Sequence, residues 1–288
     1  KSTNVCISKR AVIVMCADNG IVREGISQSG QEVTLAVAQS MGRRESSVCC
    51  MASASHTDVI PVDIGIAASC KIDGVLDEKI ACGTRNFAKE PAMTEKETLD
   101  AIDTGVRLVK QCKENGYQIL ATGEMGIGNT TTSSAVTAAL LHRLASETAG
   151  RGAGLNDKGL SRKKQVIQEA IDRYDLYKAD AFTVLQTVGG LDIAGLTGVF
   201  IGGAMYHVPI VLDGLISGAA ALLAKRIIPG TEHFMIASHL GKEPAMKALL
   251  KALEKEAVLF AELALGEGTG AVMLFPLLDM AMRVYREN

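Results

Sequence analysis

The chain has no tryptophan, and only 4% of its 288 residues are aromatic. Platforms on which bases of a single-stranded nucleic acid could stack are therefore missing. A net charge of −2 also gives no basic footprint for a phosphate backbone. No block of five or six like charges marks a tail. The longest apolar stretch, Val208 to Ala224, is broken by Asp213 and Gly214, which makes it a poor membrane span. The seven cysteines form no CxxC pair and are odd in number, so a disulfide framework is not expected and a reducing cytoplasm is. The five histidines show no metal-ligand spacing, and no HExxH motif accompanies them, so no metal centre is expected.

What is present is a recurring apolar run ending in a small or acidic residue: "AVIVMCAD" (11–18), "DVIPVDIG" (58–65), "YQILATGE" (117–124), "VPIVLDG" (208–214) and "FMIASHL" (234–240). Continuous apolarity without alternation suits strands buried on both faces of a parallel sheet. Helix-like segments lie between the runs. "QEVTLAVAQSMGRR" follows the first, "TEKETLDAIDTGVRLVKQCKENG" the second and "EPAMKALLKALEKEA" the last. The Thr94–Glu97 spacing is a capping box, with Gly116 as a C-terminal stop. This alternation predicts an α/β fold, a doubly wound parallel sheet with helices on both faces. Ligands then bind beyond the carboxyl ends of the strands, where Asp18, Asp63, Glu124, Asp213 and Ser238 fall. Each alone is more often a cap or turn residue; five at one edge point to a pocket.

"GEMGIGNTT" (123–131) joins a predicted strand to the helix-like "TSSAVTAALLHRL". Gly126 and Gly128 let a ligand approach the backbone, and Ile127, Asn129 and Thr130 complete a helix start that offers free N–H groups and hydroxyls. The spacing fits a monophosphate site and a plain strand-to-helix turn equally well. It is not a Walker loop, since no lysine follows, and Thr131 stands where a dinucleotide fingerprint needs its third glycine. A second acid, Glu267 in "LALGEGTGAVML" (263–274), lies between two glycines before another helix; it reads either as an exposed turn acid or as a general base. "VGGLDIAGLTGVFIGGAMYHVP" (188–209) reads as a tightly packed helix, and 146–163 as a long loop leading into a helix. Arg85 and Lys89 in "GTRNFAKEPAMT" are either phosphate ligands or surface charges.

Taken in order, "GTRNFAKEPAMT", "GEMGIGNTTTSSAV", "GRGAGL…GLSRK", "VGGLDIAGLTGVFIGGAMYHVPIVLDG" and "LGEGTGA" resemble the nicotinate-nucleotide:dimethylbenzimidazole phosphoribosyltransferase (CobT) family, from about Ala11 to Tyr285. The resemblance implies a three-layer Rossmann-like domain over 1–288. Its C-terminal helix (about 269–286) would contribute to a small helical domain whose N-terminal part is missing here. The implied reaction moves a 5-phosphoribosyl group from nicotinate mononucleotide to 5,6-dimethylbenzimidazole with inversion, without cofactor or metal, in a cytoplasmic homodimer. In the matching motifs Glu267 is the general base, Glu124 lies near the ribose, and Lys163 is near the site. Asp18, Asn19 and Gln31 line the base side, with Asn19 where many members carry histidine. That change leaves other benzimidazoles, purines or phenols open as acceptors, and a non-catalytic nucleotide-binding homologue is the other alternative.

Overall fold

A computed structural model describes residues 5–287. Its sheet is built from β1 (Arg10–Ala17), β2 (Asp58–Gly65), β3 (Leu76–Asp77), β4 (Ile119–Met125), β5 (Ile210–Leu212) and β6 (Met235–Ala237). All neighbours pair parallel, in the order β3-β2-β1-β4-β5-β6. The helices are α1 (Glu32–Gly42), α2 (Ser47–Ala54), α3 (Glu95–Glu114), α4 (Asn129–Leu141), α5 (Ala145–Thr148) and α6 (Asp157–Arg173). They continue with α7 (Ala181–Val188), α8 (Leu191–Met205), α9 (Leu215–Ile227), α10 (Met246–Ala252) and α11 (Thr269–Glu287).

Every residue of β1 is buried, as a central parallel strand with helices on both faces requires. The strand's pleat sends Val12, Val14 and Cys16 to one layer, packed with α1, α2 and the first turns of α11. Ala11, Ile13, Met15 and Ala17 face the other layer, built from α3, α4 and α6 through α10. The five apolar runs all became strands. The edge strand β3 was not expected, because its two exposed residues carry no periodic signal. Helix α2 was also missed, and α10 is shorter than "EPAMKALLKALEKEA" predicts.

Three local devices fix the frame. The capping box closes as expected: Glu97 N–H donates to Thr94 Oγ1 at 3.2 Å, and Thr94 N–H donates to Glu97 Oε2 at 2.6 Å. Helix α8 packs so tightly on α3 that a Cβ at Gly198 would stand 1.9 Å from Ile102 O. Its glycines thus serve a helix–helix contact as well as contact with the sheet. Finally, Arg10, only 4% exposed, holds α11 through a two-pronged bond to Asp279 at 2.7 and 2.8 Å. Among the described residues, no helix is long and apolar enough to cross a membrane.

Candidate active site

Strand order reverses direction at β1, whose two neighbours are β2 and β4. Beyond such a switch point the connections diverge and leave a crevice at the carboxyl ends of the strands. Glu124, the penultimate residue of β4, lies on one side of that crevice, Asp213 follows β5, and Ser238 and His239 follow β6. A cavity of about 310 Å³ opens there, lined by Glu124, Thr130, Gly152, Asp213, His239 and Glu243 among others. Of the five polar strand ends, Glu124 and Asp213 line the cavity, and Asp63 lies farthest toward the β3 edge of the sheet. It accepts from Ile66 N–H at 2.9 Å and pairs with Lys79 at 3.0 Å near the β3 edge.

Glu124 is 8% exposed. Burial, then the nearby charge of Asp192, pushes its carboxyl up to about 8. Asp192, fully buried in the first turn of α8, is pushed up to about 6, again chiefly by burial. One amide joins the two acids: Asn129 Nδ2 donates to Glu124 Oε2 and, at 3.1 Å, to Asp192 Oδ2. Near neutral pH the pair thus holds about one proton between its two carboxylates. Sequence reasoning passed over Asp192, although it is the one charged residue in the apolar stretch 188–206. A lone acid in such a helix is seldom fully buried without a partner, and that was the available signal.

The 126–130 turn has a divided role. Asn129 N–H is spent on Gly126 O at 3.0 Å and Ile127 N–H on Thr34 Oγ1 at 3.1 Å, so neither is free for a ligand. Gly128 turns the chain at φ 97° and caps α4, while the Thr130 hydroxyl lines the cavity. Behind Thr130 lies Lys163, fully buried, its ammonium donating to Thr130 Oγ1 at 2.9 Å and to Gly150 O at 3.1 Å. Burial lowers Lys163 to about 8, opposed by the charge of Glu243.

The expected base-side residues do not line this cavity. Asp18 is buried and accepts from Ala67 N–H at 2.8 Å, and Asn19, also buried, packs against the 126–128 turn with Nδ2 3.5 Å from Ile127 O. Gln31 is the half-buried residue that opens α1. Arg85 is held by Glu97 at 2.5 Å, and Lys89 is exposed, so both are surface or structural charges.

Glu267 is half-buried and sits at φ 61° between Gly266 at φ 80° and Gly268 at φ 90°. Three successive left-handed residues let the loop lie flat on β4, where a Cβ at Gly123 would be 2.3 Å from Glu267 O. Such strain concentrates at functional sites. Its Oε2 accepts from Val48 N–H at 3.1 Å, in the first turn of α2, so the carboxylate faces α2 while Gly266 and Thr269, close by in sequence, line the cavity. A Cβ at Gly266 would lie 3.1 Å from Glu124 Oε1, which places the two acids on adjoining walls.

His239 completes the far wall. Ser238 donates its single hydroxyl proton to Leu212 O at 2.7 Å, so at 2.9 Å it can only accept from His239 Nδ1. The neutral ring then has a bare Nε2. Asp213 is tied to the start of α11 by Ala271 N–H at 2.9 Å and lies 3.8 Å from His239 Nδ1.

A buried pair of acids beside an ammonium-backed hydroxyl, at the switch point of a doubly wound sheet, is the kind of site α/β enzymes use for small-molecule substrates. A family model described as Phosphoribosyltransferase (DBI_PRT) matches residues 1–288, and the chain belongs to that family. It is 44% identical over 281 residues to a nicotinate-nucleotide–dimethylbenzimidazole phosphoribosyltransferase of Acetivibrio thermocellus, covering 98% of this chain and 80% of the relative. It is 41% identical over 282 residues to the enzyme of that name from Chloroflexus aurantiacus, with the same coverages. Among solved structures it is similar to CobT from Thermus thermophilus, with TM-score 0.93 and 37% identity over 97% of this chain and 84% of that one.

Proposed function

We propose that the chain transfers the 5-phosphoribosyl group of nicotinate mononucleotide to 5,6-dimethylbenzimidazole, giving α-ribazole 5′-phosphate and nicotinate. The observation that carries this reading is Glu124, a buried acid on the wall of a cavity that also holds an ammonium-backed hydroxyl. The donor's phosphate is held on the Thr130 and Gly152 side, with Lys163 behind. Its binding energy fixes the anomeric carbon relative to Glu124.

The leaving group is already a pyridinium, so no acid is needed to expel it. As the C–N bond lengthens, its electron pair returns to the ring nitrogen and positive charge grows on the ribose, as in other oxocarbenium-like transfers. The proton that Glu124 and Asp192 hold near neutral pH passes to solvent as the donor's pyridinium arrives beside Glu124. The Glu124 charge is then worth most where the ribose is most cationic, in a site with little water to screen it. The acceptor's unprotonated ring nitrogen attacks the opposite face with its lone pair, and the N–H proton on its other ring nitrogen goes to Glu267. That step requires the Glu267 side chain to leave Val48 N–H and turn towards the cavity.

The 44% identical relative supports dimethylbenzimidazole as the acceptor. Two further parts of the proposal are a cytoplasmic homodimer and a small helical domain that includes the second half of α11. Exposed Leu277, Met280 and Val284 support the latter. Incubation with both substrates, with nicotinate release followed, tests the function; absence of release with folded protein overturns it.

A further inference from the structure

Glu243 plays no part in the reaction described above, yet its carboxylate lies inside the anion-binding side of the cavity. Its Oε1 accepts from Gly152 N–H at 3.1 Å, a contact spanning 91 residues of sequence. Its Oε2 is shut off from solvent and has no hydrogen-bond donor. A Cβ at Gly150 would stand 1.9 Å from that oxygen, so the carboxylate presses against the glycine whose carbonyl Lys163 holds. Lys163 itself spends two bonds on Thr130 and Gly150, leaving one of the three ammonium protons uncommitted. A carboxylate oxygen without a donor and an ammonium proton without an acceptor thus flank Gly150 and do not bond to each other. Neighbouring Lys242 is drawn away towards Glu262, at 3.5 Å.

A buried acceptor left unsatisfied is costly, and such an atom in a folded protein calls for a reason. The geometry supplies one. A tetrahedral phosphate has oxygens enough to accept from Gly152 N–H, Thr130 hydroxyl and Lys163 together, whereas the flat carboxylate of Glu243 reaches only the first. We infer that Glu243 determines which anions the donor site accepts: before the donor binds, its carboxylate occupies part of the phosphate position, and the donor's phosphate displaces it. This rests on the reading of the cavity as a phosphoribosyl-transfer site. A dianionic phosphate gains the additional bonds and evicts the tethered carboxylate. A small free carboxylate gains nothing over Glu243 and is kept out, which protects the site from the many monoanions of a cell.

The test compares the wild type with Glu243→Ala and Glu243→Gln, using acetate and inorganic phosphate as probes. Binding is read by calorimetry and competition by nicotinate release. In the wild type, inorganic phosphate binds and acetate does not. In Glu243→Ala, acetate binds and becomes a competitive inhibitor against nicotinate mononucleotide, because it fills the vacated position. Glu243→Gln, which removes the charge and keeps the shape, binds phosphate about tenfold tighter and lowers the KM for the donor by a similar factor, the worth of one charge-assisted hydrogen bond. If both variants raise the donor KM and neither gains anion affinity, Glu243 only braces the Gly150–Gly154 loop and the inference is overturned. The calorimetric arm needs no turnover. An inactive wild type would therefore count against the proposed reaction, while the anion-binding result would still decide the role of Glu243.

Discussion

Replacing Asp192 by asparagine removes one charge from the buried pair and leaves the Asn129 bridge sterically in place. Both carboxylates accept from the same Asn129 nitrogen, so their nearest oxygens are separated by roughly 5 Å. At that separation and an effective dielectric of about 20, two unit charges repel by about 3 kcal/mol. With about 1.4 kcal/mol per pH unit, Glu124 in the variant should ionise as much as two units lower. Burial, the larger cause of its elevation, persists in the variant, so Glu124 does not return to the ordinary carboxylate range. The assay is nicotinate release, with kcat/KM measured from about pH 5 to 10, since that ratio reports the free enzyme's titrating groups. The wild type should lose activity as pH falls through a midpoint near 8, and Asp192→Asn should move that limb between about one and two units towards acid. A circular-dichroism melt checks that the variant is folded. A limb that stays in place, or moves towards base, would refute the coupling of the two acids.

Three further outcomes follow from the same geometry. Glu267→Gln keeps the acceptor for Val48 N–H and loses the base, so turnover should fall by roughly 10²–10⁴ while donor affinity holds; steady-state kinetics with calorimetry of donor binding separates the two. Gly123→Ala drives a methyl to 2.3 Å from Glu267 O, so it should cost about 1–3 kcal/mol in denaturant unfolding and reduce kcat; a variant of unchanged stability and rate would contradict the packing of the 263–268 loop on β4. Because the folded-state values of Glu124 and Asp192 lie above their unfolded ones, their contribution to stability is greatest in acid and is lost as pH rises from about 4 through 8. The melting temperature of Glu124→Gln relative to the wild type should therefore rise across that window, and a flat difference would be the contrary result.

The sheet was legible because its central strands are buried on both faces and must be continuously apolar. Runs such as "AVIVMCAD" have no other economical reading in an α/β chain. The glycine-rich turn and its acid were legible because close approach of backbone demands glycine. The division of labour within the turn was not, since which N–H groups are already spent depends on Thr34, 93 residues away from Ile127. Asp192 and Glu243 lay hidden for a related reason. One looked like the polar start of a packed helix and the other like an acid beginning a helix. Their meaning comes from Asn129 and Gly152, contacts no local pattern encodes. Asp18 shows the reverse: its place at the end of β1 marked it for the pocket, yet it is buried and spent on Ala67 N–H, while Asn19, placed there by the resemblance, packs against the 126–128 turn.

The central claim is that the Glu124 cavity transfers a phosphoribosyl group from one face of the ribose to the other. Its most direct measurement is an NMR assignment of the anomeric configuration of the product formed from nicotinate mononucleotide and 5,6-dimethylbenzimidazole. The account predicts stoichiometric nicotinate and a single α-linked ribotide. A β-linked product, or a donor that stays intact beside folded enzyme, would contradict it.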